Sequence, residues 1–240
     1  MNKLTTRIAG VIFATFLMLN SASAEFRVGL AMNTGAFWGN AEETLKDSSR
    51  KTAEEGVVPL SYSSVFAEYS LGDIAYGLTI GIEYAADSME LNDETVTKLC
   101  QISKKADGVR GCQTNGGAGG DTGTQKADAG FEDLMTMYLQ VPMGGTGGYI
   151  KAGVSQVDVI SKESLSTGST YGNKTIDGVM AGIGYQGNFD SFFYRLEAKY
   201  LDFEAFQLTG SEVGGTSGSY NKIDGEVGGV TGSLAVGYQF

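Results

Sequence analysis

Histidine is absent from all 240 residues, and cysteine and proline occur only twice each. Without an imidazole the chain has no Ser-His-Asp or Cys-His nucleophile system, no His-ligated zinc or haem, and no imidazole pH switch. Two prolines exclude a proline-rich linker protein. The 36 glycines are about twice the usual share but follow no G-X-Y period, which excludes collagen. Basic residues are also scarce, 17 against 28 acidic ones. So acidic a chain does not bind nucleic acid by phosphate neutralisation. No stretch of 18 apolar residues is present, so no transmembrane helix is available. Yet 42% of the residues are hydrophobic, too many for a disordered chain.

Met1 to Ala24 reads as a secretory signal peptide. Lys3 and Arg7 supply the positive n-region, Ile8 to Leu19 the apolar h-region, and Ala22-Ser23-Ala24 the small-residue cleavage pattern. Removal of this segment leaves residues 25–240 as one domain, with 15 basic residues against 28 acidic and a formal charge of −13.

Period two runs through the mature chain. Phe26, Val28, Leu30, Met32 and Trp38 alternate with Arg27, Gly29, Ala31 and Asn33; Ile74, Tyr76, Leu78, Ile80, Ile82 and Tyr84 alternate with Ala75, Gly77, Thr79, Gly81, Glu83 and Ala85. Such alternation marks strands with two unlike faces. Further segments follow at Val65–Leu71, Leu134–Met143, Ile150–Val159, Val179–Tyr185, Phe192–Tyr200 and Val230–Phe240, making eight. The fifth changes parity at Val157 and Val159, where a bulge is expected. One face is bulky and apolar with aromatics at its ends, the other small or polar. Turning the bulky face to lipid and the other to a narrow lumen satisfies both, and closure pairs every backbone group. The expected fold is therefore all-β: an eight-stranded antiparallel up-and-down transmembrane β-barrel. Tight periplasmic turns are expected at 71–73, 144–148 and 188–191. Long extracellular loops are expected near 39–57, 86–131, 161–175 and 203–228. On this reading Leu78 and Ile80 lie near the bilayer midplane.

The last strand, V-T-G-S-L-A-V-G-Y-Q-F, ends with Tyr238 and Phe240 at alternate positions. It resembles the C-terminal signature of outer-membrane barrels. The string Y-R-L-E-A-K-Y-L-D-F is similar to the corresponding stretch of small opacity-protein and OmpA/OmpX-like barrels. The resemblance implies an outer-membrane location in a Gram-negative-type bacterium. It also implies outer-membrane lipid as surroundings and recognition by the barrel-assembly machinery through Tyr238 and Phe240. Members of that family differ mainly in their loops, so it implies little about function.

Cys100 and Cys112 both fall in the second long loop, and in an oxidising compartment they are expected to form a structural disulfide. Arg27, Glu68, Glu83, Glu132, Lys151, Arg195, Glu197 and Lys199 share the inward parity, four of each sign. They are expected to form a neutralised lumen network filling a barrel just wide enough for side chains. A pairing of Glu83 with Glu197 as acid and base lacks a nucleophile. The acidic stretch Asp87–Glu94 and Gly119-Gly-Asp121-Thr-Gly-Thr124 match no calcium-loop spacing, and Gly116–Gly120 is not a P-loop. No catalytic residue, metal ligand or cofactor is expected. The functional expectation is a structural or surface-interaction role, with external ligands met through the loops; the alternative is a narrow channel for small solutes or ions.

Overall fold

In a computed structural model the chain is described over residues 25–44, 51–72, 76–86, 89–90, 98–104, 110–113, 121–164, 170–211 and 222–240. The signal peptide expected over residues 1–24 lies outside this set. The strands, in chain order, are β1 Glu25–Thr44, β2 Lys51–Ser70, β3 Thr79–Ala85, β4 Met89–Glu90, β5 Lys98–Lys104, β6 Arg110–Gln113, β7 Asp121–Pro142, β8 Gly148–Ser164, β9 Lys174–Phe189, β10 Phe192–Phe203, β11 Phe206–Thr209 and β12 Lys222–Gln239.

Eight of these are staves of a closed antiparallel barrel. The order runs β3-β2-β1-β12-β10-β9-β8-β7, and β7 pairs back to β3. β4 and β11 continue the wall beside β7 and β12, while β5 and β6 add a small second sheet to the upper part of β7. Following paired residues once around leads from Val28 through Ala67, Ile82, Met137, Val154, Val179, Asp202 and Gly228 to Trp38. The return is displaced by ten residues, from 28 to 38. That stagger tilts the strands by roughly 40°, so those ten residues climb roughly 25 Å, the height of an outer-membrane apolar band.

The outward face bears out the alternation. Leu30, Met32, Val65, Leu139, Val154, Ile183, Leu196 and Leu234 are all exposed on it. Phe26, Phe192, Tyr238 and Phe240 cluster at the short-turn end, with Phe192 and Tyr238 edge-on at 5.2 Å and Tyr238 and Phe240 at 4.9 Å. Trp38 and Tyr200 lie 5.8 Å apart near the other end. Above them the outward positions turn polar and are tied in cross-strand bonds. Asn40 donates to Glu226, Gln207 to Asp224, Gln156 to Asp177, Thr175 to Asp158 and Tyr84 to Asp133.

The staves are longer than the apolar alternation predicts. β1 runs to Thr44 and β2 begins at Lys51, so most of the first expected loop is strand. The expected bulge in the fifth strand is absent. Register between β8 and β9 is continuous, and Val157 and Val159 point inward, each 2% exposed. What changes at that height is the polarity of the surroundings, since the strand has left the lipid. The register shift sits instead on β7, between Glu132 and Met135, with Asp133 at φ 56°. The third strand begins at Thr79; just before it Leu71 N–H donates to Leu78 C=O and Gly77 N–H to Gly72 C=O. Tyr76 and Gly77 have φ of 54° and 77°, which no extended strand accepts. Leu78 thus lies before the strand, and Ile80, paired with Tyr69, belongs to the lower aromatic girdle rather than to the midplane.

Candidate functional site

The lumen is layered. At mid-height β10 aims Arg195, Glu197 and Lys199 inward at alternate positions, facing Glu68 of β2, Glu83 of β3 and Lys151 of β8. Arg195 grips Glu68 with both terminal nitrogens, at 2.6 and 2.5 Å, and its Nε donates to Gln186 at 2.8 Å. Such a fork-to-fork pair fixes orientation as well as charge. The guanidinium also packs against the rings of Phe66 and Phe193, 5.2 and 4.7 Å from their centroids. Lys151 donates to Glu197 at 2.7 Å and Lys199 to Glu83 at 2.8 Å, with Lys199 also 4.0 Å from Glu197. The Tyr138 and Tyr149 hydroxyls donate to Glu68 and Glu197, each at 2.5 Å. Ser64 adds a bond to Glu83 at 2.7 Å and in turn accepts one from Asn33.

Small residues opposite large ones make room for this network. Gly29 lies across from Phe66, Gly81 from Tyr138, Gly184 from Tyr149 and Gly237 from Phe193. A Cβ on Gly81 would stand 2.4 Å from the Tyr138 ring, and one on Gly184 2.3 Å from that of Tyr149. Each aromatic therefore covers a glycine on the next strand.

Above the ion pairs the inward face becomes apolar. Phe37, Leu60, Phe131, Leu134, Val157, Val159, Ile176, Leu201, Phe203 and Val227 pack into one buried cluster across the axis. Between the two layers lies a cavity of about 10 Å³, beside Tyr62, Glu83, Thr136 and Lys199. That is about the room for one water. Below the ion pairs the lumen opens into a polar vestibule of about 420 Å³ at the short-turn end.

Of the eight charged residues expected in the lumen, six meet in this layer. Arg27 does not. It sits at the vestibule mouth, paired with Glu25 at 2.6 Å and bonded to Gln239 at 3.1 Å. Glu132 is placed outside the network as well, because the register shift beside it reverses parity on β7: Phe131 takes the inward position and Glu132 the outward one. Glu83 and Glu197 are each held by a lysine, with Lys199 between them. Tyr138 and Tyr149 were not singled out from the sequence, although both have inward parity. Cys100 lies on β5 opposite Gly123, and Cys112 on β6 opposite Ile102. Of the acidic stretch only Met89–Glu90 and Asp121 onward are described, and Gly116–Gly120 lies outside the described residues.

Phe240 closes the seam. Its N–H donates to the Phe26 carbonyl at 2.9 Å and the two rings lie 5.8 Å apart. A solved structure of the outer membrane protein OprG from Pseudomonas aeruginosa superposes with a TM-score of 0.60 at 12% identity, covering 91% of this chain and 96% of that one. This is the fold of a small outer-membrane barrel. Looser similarity extends to the outer membrane protease OmpT of Escherichia coli, with a TM-score of 0.48 at 8% identity over 92% and 99% of the two chains. It extends also to Ail, the attachment invasion locus protein of Yersinia pestis, with 0.39 at 10% over 90% and 99%. No family model and no curated protein matches the chain. The barrel's low identity to all three restricts the likeness to architecture.

Proposed function

We propose that this barrel resides in the outer membrane as a sealed scaffold whose role is structural or surface-interactive: envelope integrity, adhesion or recognition through its outer end. The observation that carries this reading is the double closure of the lumen, by the Arg195–Glu68 fork and its neighbouring pairs and by the apolar layer above them. Water and ions crossing such a lumen must break buried ion pairs and then traverse packed hydrocarbon, both costly steps. The staves, continued past the apolar band, hold the outer connections on a rigid rim. On this reading the protein has no catalytic role. Its partners are outer-membrane lipid, the assembly machinery through Tyr238 and Phe240, and external ligands of the loops. A disulfide between Cys100 and Cys112, tying β5 to β6, belongs to the same reading.

Planar-bilayer recording of the purified protein tests it, with no sustained discrete openings expected. Sustained openings would transfer the function to a narrow passage for small solutes. Binding of loop-deletion cells to matrix and serum components then identifies which connection carries recognition.

A further inference from the structure

The outward apolar face of the barrel is taller on one side than on the other. Each step from a strand to its paired neighbour climbs an eighth of the ten-residue stagger, which places residues of distant staves at a common height. Val179 of β9, reached from Val28 through β2, β3, β7 and β8, stands about six residues higher and is level with Thr34. By the same count Thr175 is level with Trp38, Asp177 and Asp202 with Ala36, Asp158 with Phe37, and Val57 of β2 with Gly39. At that height the two sides are unlike. β1 and β2 present Ala36, Trp38, Pro59 and Val57 outward, Trp38 37% and Val57 68% exposed. β8, β9 and β10 present Asp158, Asp177 and Asp202. On β1 the first outward acid above Phe26 is Glu42, a run of 16 residues; on β9 the first above Tyr185 is Asp177, a run of 8. At the climb of the staves these runs span roughly 40 Å and roughly 20 Å, against an apolar band of roughly 25 Å. An upright barrel therefore either lifts Trp38 and Val57 into water or draws Asp177 and Asp202 into acyl chains, and both are costly. The opposite corner supplies the complement. The turn beneath β8, from Met143 through Gly144, Gly145, Thr146 and Gly147 to Gly148, carries no charge, and Met143 is 50% exposed. It holds nothing that must stay out of the lower interface.

We infer that the barrel lies slanted in the bilayer, its outer end leaning toward the β1–β2 side. Acyl chains are then the partner of the face made by Ala36, Trp38, Val57 and Pro59, and the Met143–Gly148 turn is set into the lower interface. The inference rests on the outer-membrane residence proposed above and adds an orientation to it. Tilting is the ordinary response to an apolar run longer than the bilayer is thick. Here the excess is one-sided, so it fixes the direction of the lean as well. The lean brings Trp38 down to the lipid interface, where its ring suits the surroundings. It also turns Asp158, Asp177 and Asp202 up toward the exterior, clear of the lipid.

Trp38 is the chain's single tryptophan, so its fluorescence reports depth without a label. The mature protein is refolded into phosphatidylcholine vesicles and quenched from two sides, by acrylamide in the water and by lipids carrying a nitroxide near the glycerol or deep in the chain. Three variants in a Trp38→Phe background move the reporter, to Val57→Trp, Thr175→Trp and Leu234→Trp. Positions 57 and 175 stand at nearly one height on opposite walls. The slant predicts that acrylamide quenches position 175 several-fold more than position 57, and that the shallow nitroxide does the reverse. Equal quenching of the two positions, or stronger nitroxide quenching at 175, would overturn the lean and leave the barrel upright or tipped the other way. Position 234 is expected to answer to the deep nitroxide at any tilt. Its failure to do so would remove the membrane residence itself, a result distinct from loss of the lean. Should a variant lack the heat-dependent gel mobility of a folded barrel, the unaltered chain decides. Trp38 is expected to be quenched by the shallow nitroxide and shielded from acrylamide, and the opposite pattern would overturn the inference.

Discussion

Glu68 is fully buried and has both oxygens occupied, one by Tyr138 and Arg195 and the other by Arg195 again. Its worth follows from what its loss leaves behind. Glu68→Ala strands a guanidinium in the lumen and is expected to cost about 3–5 kcal/mol. Glu68→Leu combined with Arg195→Met removes both charges and is expected to recover most of that loss. Urea titration of unfolding in lipid vesicles measures both, and additive losses would mean that the two residues do not act as a pair. On the outer face depth decides. Leu234, flanked by Leu196 and Met32, faces the middle of the apolar band, whereas Ile80 stands beside Tyr69 at its lower edge. Leu234→Arg is expected to cost about 2–4 kcal/mol in the same titration and Ile80→Arg about 0–1 kcal/mol.

Strand elements carry one parity and two polarities. Along β8, Ile150, Ala152 and Val154 point outward with Lys151 inward; higher up, Gln156 and Asp158 point outward with Val157 and Val159 inward. The same inversion occurs on β10, where Leu201 and Phe203 are buried while Asp202 is exposed, and on β12, where Val227 is buried beside exposed Glu226. Within lipid the apolar residues must face out; beyond it they must face in. The alternation was therefore legible in the sequence wherever solvent was lipid, and gave the staves, their facing and the mid-lumen charges. Taking apolar to mean outward throughout turned Val157 and Val159 into an apparent bulge and read the upper halves of the staves as loop. Glu132 was illegible for another reason: a one-residue register shift on β7 leaves no mark in periodicity, and it alone reverses the residue's facing. The inversion predicts an order of effects. Val157→Asp buries a charge in the apolar layer and is expected to cost several kcal/mol. Asp158→Val, which removes only an exposed bond from Thr175, is expected to cost about 0.5–1.5 kcal/mol. Vesicle unfolding titrations returning the opposite order would mean that the upper strand keeps its apolar side to the lipid.

At the scale of the whole molecule, closure and layering impose a sidedness that neither a residue nor a strand has. The β12–β1 seam runs from Arg27 paired with Gln239 to Thr44 paired with Lys222, so the wall offers no edge at this junction. Along this seam solvent has no way in from the side, and the two ends of the barrel differ. Asn188 is exposed and lines the vestibule, while Thr231, 3% exposed, lies behind the ion pairs and below the apolar layer. In a chain with Cys100 and Cys112 replaced by Ser, Asn188→Cys is expected to react with a membrane-impermeant thiol reagent added from the short-turn side and to be spared from the other. Thr231→Cys is expected to be spared from both. Urea-unfolded samples, in which both positions react, supply the reference rate. Fast labelling of position 231 from the long-loop side would show that the apolar layer opens on its own. Fast labelling from the short-turn side would show that the ion pairs do. The first outcome would make the outer end an entrance and the second would extend the vestibule, and either would remove the seal on which the scaffold reading depends.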